Sequence, residues 1–386
     1  MSLSINSTVE DIAISGIRRF FNLVQTKEDV LSLTIGQPDF PTPTHIKEQA
    51  ISAIHNNYTS YTHNAGILPL REAIANFVSE KYHITYHPES EIIVTVGASQ
   101  AIDITLRTIL NNGDEVILPG PVYPGYEPLI KLAGAAPIYI DTRKNNFKLT
   151  ADMIEPYITE KTKAILIPYP SNPTGVTLNE KELTDIATLI KKHDIFLIAD
   201  EIYSEIVYTQ EHISIAKFSE IRNQLIVING VSKSHSMTGF RIGYILAPEW
   251  LAAHILKVHQ YNVSCATSIS QYAALSALTT GIHDPIQMKV AYKERRDYVL
   301  SRLKSIDLYT YTPDGGFYIF IDVSHLEQNS FDIAIDIVDK AKVALVPGSA
   351  FSTYGEGYVR LSYAYDMATL KEGMNRLADY FQKVNK

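Results

Sequence analysis

Cysteine is nearly absent from this chain. Cys265 is the only one among 386 residues, so no intramolecular disulfide and no CxxC metal site can form. The lone thiol reads as a buried structural residue. Basic residues are in deficit: 34 Lys and Arg face 42 Asp and Glu, and the net charge of −8 has the wrong sign for a nucleic-acid footprint. No apolar run approaches the roughly 20 residues that span a bilayer. The opening stretch, MSLSINSTVEDIAISGIRRF, lacks the basic-then-apolar order of an export signal, so the cytoplasm is the expected compartment. Internal repeats, low-complexity tracts and long Gly/Ser linkers are missing as well. A metal site, a membrane and a nucleic acid are therefore not expected.

What is present is ordinary enzyme material. Hydrophobic residues make up 46% and charged residues 20%, enough for a large core in one large domain or two intertwined ones. From about residue 90 to 247, β-rich runs alternate with helical stretches, the pattern of a mainly parallel sheet with crossover helices. The expected strands are Glu91–Val96, Glu115–Leu118, Pro137–Ile140, Ala164–Pro168, Ile195–Ala199, Leu225–Ile228 and Gly243–Ala247. Runs such as AILIP, IFLIA and LIVI are apolar throughout, as strands buried on both faces should be. Between them, EKELTDIATLIKK (180–192) has helical spacing and ends in lysines, favourable near a helix C-terminus. The ends differ. Residues 1–45 hold a helix-like start and the turn-rich IGQPDFPTP; beyond about 285 come a long charged helix (MKVAYKERRDYVLSRLKS) and the strands GGFYIFI and VALVPGSAF. The expected division is a large domain over residues 46–284 and a smaller α+β domain built from 1–45 and 285–386.

The chemistry concentrates in VINGVSKSHSMTGFRIGY. A short strand runs into a loop bearing Lys233, and Arg241 follows eight residues later. A lysine used for Schiff-base chemistry must be aimed by its scaffold and lose its proton readily, which burial and neighbouring cations promote. An arginine close behind can hold a phosphate dianion through paired charge-assisted bonds. Taken alone, an exposed Lys and Arg on a polar loop explain the same letters. Asp200 ends the run IFLIAD, where an unpaired carboxylate is costly to bury, although it could instead cap the following segment. Gly97-Ala98-Ser99 follows a strand and opens a helix, whose free N–H groups suit an anion. Arg360 is flanked by strand-like apolar residues, so it should be buried and need an anionic partner; a fixed Asp or Glu is the alternative to a substrate carboxylate.

The lysine segment resembles the cofactor-lysine motif of the fold-type I, class I and II aminotransferases, S-K-x-x-x-M-T-G-x-R-x-G. The rest of that pattern follows in order: IGQPDF, Tyr61 before NAGILPLREA, TVGASQAI, PGPVYPGYE, YPSNPTG, ADEIYSE, GGFYIF and GYVRLSYA. The resemblance covers nearly the whole chain. It implies an α/β fold-type I transferase with a mainly parallel seven-stranded sheet, pyridoxal 5′-phosphate (PLP) as cofactor, and a homodimer. By the same resemblance, Lys233 binds the cofactor aldehyde and moves the proton between substrate Cα and cofactor C4′. Asp200 faces the ring nitrogen, Asn172 and Tyr203 the ring oxygen, and Tyr123 stacks on the ring. Ala98, Ser99, Ser232 and Arg241 hold the phosphate, with Tyr61 reaching it from the neighbouring subunit. Arg360 takes the substrate α-carboxylate beside Asn172 and the Gly36 backbone. One departure stands out: some family members have a phosphate-binding serine where this chain has Gly230.

The implied activity is ping-pong transfer of an amino group between an amino acid and a 2-oxo acid. SLTIGQPDF, VHQYNVSCATSISQ and PGSAFSTYGEGYVRLS are especially similar to bacterial N-acetyl-L,L-diaminopimelate aminotransferases, which use glutamate and 2-oxoglutarate as the other pair. Aspartate or aromatic aminotransferases and a PLP-dependent C–S β-lyase share the cofactor cage. An aminotransferase-like sensing domain of a transcription regulator carries a basic DNA-binding domain ahead of the fold. Here the family pattern begins within the first forty residues and the chain is acidic, which disfavours that alternative.

Overall fold

The seven apolar runs between residues 92 and 246 assemble into one sheet. The structure is a computed structural model that describes residues 3–308 and 311–384. A two-residue strand β1 (Leu31–Ser32) precedes the sheet strands β2 (Ile92–Thr95), β3 (Glu115–Gly120), β4 (Ala136–Asp141), β5 (Thr162–Pro168), β6 (Phe196–Asp200), β7 (Leu225–Gly230) and β8 (Gly243–Leu246). Their order is β2-β8-β7-β6-β5-β3-β4, parallel from β7 to β4, with β8 antiparallel to both of its neighbours. The central strands are buried on both faces; Leu197, Ile198, Ile226 and Ile228 are fully enclosed. Each such side chain contributes roughly 1.5–3 kcal/mol by leaving water.

Each expected strand forms, displaced by one or two residues at its ends. β7 runs on to Gly230 and β6 includes Asp200, because pairing with neighbours, not hydrophobicity, decides where a strand stops. The helix read from Glu180 spans Glu180–Lys191, fixed by a reciprocal capping box between Asn179 and Glu182. The long charged helix begins earlier than its apolar pattern, at Asp284, with Pro285 in its first turn where a missing N–H costs nothing.

After residue 304 the chain adds β9 (Tyr318–Asp322), β10 (Val343–Ala344), β11 (Val346–Pro347) and β12 (Tyr358–Ser362). The expectation of one strand across VALVPGSAF is corrected. β10 pairs in parallel with β1, whereas β11 joins the antiparallel sheet β11-β12-β9, and Gly348–Phe351 is a short 3-10 helix. Leu345 lies between the two pairings and is itself fully buried, so hydropathy could not mark the break. Cys265 is half-buried, not the enclosed thiol its composition suggested. Among the described residues no helix is long and apolar enough to cross a membrane.

The parallel strands β5, β6 and β7 end side by side at Pro168, Asp200 and Gly230. The loops leaving that edge carry Asn172, Tyr203 and Lys233. Ligands of open α/β sheets bind outside such carboxyl ends.

Candidate active site

Every site residue read from the sequence except Tyr61 lines one cleft of about 1170 Å³. Tyr61 is 87% exposed and does not reach the cleft of its own chain.

Lys233 sits in the turn after β7, and its Nζ donates to the Gly36 carbonyl at 2.6 Å. Burial lowers its pKa to about 8, helped by the Arg241 and Arg360 guanidiniums and opposed by the Asp200 carboxylate. An exposed loop lysine would show none of this. In cofactor-free protein the rate at which an aldehyde adds to Lys233 should therefore rise with pH and level off above about 8. Stopped-flow absorbance measures that rate. A rate still climbing at about pH 10, like that of an ordinary lysine, contradicts this environment.

Asp200 closes β6. Its Oδ2 accepts from the Tyr126 hydroxyl at 2.7 Å and its Oδ1 from the Ile202 amide at 3.1 Å. Burial raises its pKa to about 6, while those two bonds and Lys233 pull it back. The residues after it form turns, so the bond to the Ile202 amide caps a turn and not a helix, while the other carboxylate oxygen faces Tyr126. Tyr203 is buried, and its hydroxyl meets the Tyr318 hydroxyl at 3.0 Å. Tyr123 lines the same cleft, edge-on to Tyr126 with ring centroids 5.3 Å apart.

At the far corner, the helix Gly97–Ile109 points its uncapped N-terminus into the cleft beside Ala98 and Ser99. Arg241 packs onto that end so closely that a Cβ on Gly97, at φ +74°, would lie 2.5 Å from Nη2. A guanidinium against the positive pole of a helix is an unfavourable pair unless an anion lies between them. Gly230 belongs to the same corner: a Cβ there would meet the Ile242 carbonyl at 2.7 Å and Gly243 Cα at 2.9 Å. A serine does not fit, which gives the departure at this position its physical reason. Ser232, buried two residues on, does line the cleft.

Arg360, in the middle of β12, is 2% exposed. It donates to Asn172 Oδ1 at 2.9 Å and to the Thr34 carbonyl at 2.7 Å, both neutral acceptors, and lies 4.3 Å from the Tyr318 ring centroid. Its Nε has no hydrogen-bond partner among the described residues. A buried cation with a spare donor and no carboxylate bond is prepared for an incoming anion.

Two tyrosines at the centre were not singled out from sequence. Tyr126 bonds Asp200, and Tyr318 bridges Tyr203 and Arg360. Both lie inside quoted motifs, PGYE and GGFYIF, and that was the available signal. The assembled donor set fits a flat anionic aldehyde: an amine of lowered pKa, a carboxylate for a ring nitrogen, and a cationic corner for a phosphate.

The comparisons with known proteins agree with that chemistry. Residues 28–377 match the family described as aminotransferase class I and II. A Bacillus subtilis protein named probable N-acetyl-LL-diaminopimelate aminotransferase is 58% identical over 97% of this chain and 94% of its own. The aspartate aminotransferase of Pyrococcus abyssi is 41% identical over 94% of each chain. Among solved structures, Thermus thermophilus aspartate aminotransferase with maleate superposes with a TM-score of 0.93 at 32% identity, covering 98% of this chain and 100% of that one. With a full-length fold match, a family match over most of its length and a cleft of this composition, the chain belongs to the class I and II aminotransferases, which are PLP-dependent enzymes.

Proposed function

We propose that this enzyme exchanges the amino group of N-acetyl-L,L-diaminopimelate with 2-oxoglutarate, the glutamate pair, in lysine biosynthesis in the cytoplasm. The observation that carries amino transfer is the buried Lys233 amine, which shares one cleft with Asp200, Arg241 and Arg360, donates to the Gly36 carbonyl and has its pKa lowered to about 8. The similarity to the B. subtilis protein supports the substrate.

Bound PLP supplies an aldehyde that condenses with amines and a protonated ring that withdraws electrons from the substrate Cα. The chain does the rest. Asp200 keeps the ring nitrogen protonated, with Tyr126 holding its carboxylate in place. Asn172 and Tyr203 would donate to the ring oxygen, and Tyr123 would pack against the ring. Ala98, Ser99, Ser232 and Arg241 hold the phosphate at the helix N-terminus. Arg360 and Asn172 fix the substrate α-carboxylate, beside the Gly36 backbone. Lys233 would take the proton from the substrate Cα and return it on the cofactor side, one general acid–base group serving both carbons. Release of one 2-oxo acid before the second binds makes the kinetics ping-pong. In a homodimer, Tyr61 would complete the partner's phosphate site; its ring is solvent-exposed here.

A donor panel of N-acetyl-L,L-diaminopimelate, glutamate, aspartate and phenylalanine tests the substrate. The acylated diaminopimelate and glutamate should exceed the other two by about 100-fold in kcat/KM, since a site built for a polar group strongly rejects analogues lacking it. Rates within a few-fold across the panel remove the assignment to lysine biosynthesis. With a donor that carries a Cβ–S bond added to the panel, release of pyruvate and ammonia together with a thiol, in step with turnover, makes the enzyme a β-lyase.

A further inference from the structure

The turn 231–236 that carries Lys233 is enclosed almost throughout: Val231, Ser232, Ser234, His235 and Ser236 are each at most 9% exposed. A buried turn must satisfy its backbone internally. Here the His235 amide donates to the Val231 carbonyl at 3.1 Å and the Val231 amide to the Ile242 carbonyl at 3.3 Å. Ser236 adopts φ +53°, a left-handed conformation unusual for serine, and its carbonyl accepts from Thr42 Oγ1 at 2.6 Å.

His235 is 0% exposed and ties the turn to a different segment of the chain, 3.0 Å from Nε2 to the carbonyl of Gly281. A carbonyl only accepts, so Nε2 carries the hydrogen and Nδ1 accepts from Ser234 Oγ at 2.8 Å. Burial holds the ring's pKa down, which keeps it in this neutral tautomer.

The anchor at Gly281 is itself held by hydrogen bonds. Its carbonyl also accepts the Asp284 amide at 2.9 Å, and a Cβ at Gly281 would lie 2.7 Å from Asp284 Oδ2. Asp284 bonds His45 Nε2 at 2.8 Å, and His45 Nδ1 meets Ser276 Oγ at 2.8 Å. The segment running from Gly36 to His45 thus touches the lysine turn twice, at Nζ through Gly36 and at Ser236 through Thr42.

We propose that His235 is a positioning residue for Lys233: its bond to Gly281, with the Thr42 bond to Ser236, pins the 231–236 turn so that Nζ stays aimed into the cleft and away from water. The proposal rests on Lys233 being the reactive amine.

The test uses cofactor-free protein, acetylated across a pH series, with Lys233 modification counted by peptide mass spectrometry. Wild type should show a midpoint near 8. His235→Phe keeps a flat ring without the donor; its midpoint should rise by about one unit as water reaches Nζ. With cofactor, its kcat should fall about tenfold at little-changed KM, the signature of a misaimed group. His235→Gln, which retains a terminal N–H, should stay within about threefold of wild type. Thr42→Val should shift the midpoint in the same direction by less. If His235→Phe lowers the melting temperature yet leaves midpoint and kcat unchanged, the residue is structural only and the proposal is overturned. Should that variant not fold, an unchanged midpoint in Thr42→Val overturns it equally. Lys233→Ala, run in parallel, separates the two ideas: wild-type turnover there defeats the underlying role of Lys233, whatever the His235 variants do.

Discussion

Lys233→Ala should lower kcat by about 10⁴-fold and abolish the visible absorbance of a lysine-linked cofactor. General acid–base catalysis alone accounts for about 10²–10⁴, and this lysine also forms the covalent attachment. The loss should fall on kcat more than on KM, because Arg360 and the phosphate corner do not depend on the amine. Half-transamination, followed spectrally after adding glutamate to reconstituted variant, reads the proton transfer in isolation. Added small amines should restore part of the rate, since the space vacated by the side chain opens into the cleft. Turnover at the wild-type rate would remove the central assignment.

Arg360→Ala should reduce kcat/KM about 10²–10³-fold for amino acids and 2-oxo acids alike. Removing one partner of a buried, hydrogen-bonded charge pair costs about 2–5 kcal/mol, and each 1.4 kcal/mol is about tenfold. Arg360→Lys should recover little, because an ammonium cannot present two parallel donors to a carboxylate while also reaching Asn172 and the Thr34 carbonyl. Stability should move the other way in Arg360→Met. The wild-type guanidinium is fully enclosed with an unsatisfied Nε, and an uncharged methionine, which reaches about as far as that atom, removes that penalty. A variant that is inactive yet melts no lower than wild type identifies Arg360 as kept for the substrate rather than for the fold. Equal losses of activity and stability would instead make it a structural residue.

The sheet was legible because its strands are buried on both faces and therefore read as unbroken apolar runs bounded by turn residues. Strand ends were not, since backbone pairing sets them; Asp200 was read as just past a strand and is its last residue. VALVP misled for a related reason. Hydropathy sees one run where the chain passes from the partner of Leu31 to the partner of Arg360 within four residues. The reactive lysine, its acid and its arginines were legible only together, since each alone has a plain structural explanation. Tyr126 and Tyr318 were overlooked because their importance is a matter of distance: an aromatic residue in an apolar stretch shows nothing in sequence of a hydroxyl 2.7 Å from Asp200 or 3.0 Å from Tyr203. His235 was passed over for the same reason, its partner lying 46 residues away.

The corner where Gly230, Gly243 and Gly97 meet has a consequence for how this enzyme can change. A Cβ on Gly243 would lie 2.5 Å from the Ala98 amide nitrogen, and one on Gly230 would strike the backbone of the adjoining strand. Backbone cannot step aside as a side chain can, so no second substitution elsewhere relieves the first. At positions 230 and 243 the nearest atoms are backbone, whereas at 97 they belong to the Arg241 side chain and it is the φ of +74° that favours glycine. Where side chains set the space a substitution can be absorbed by repacking; at positions 230 and 243 of this chain only glycine leaves the neighbouring backbone in place.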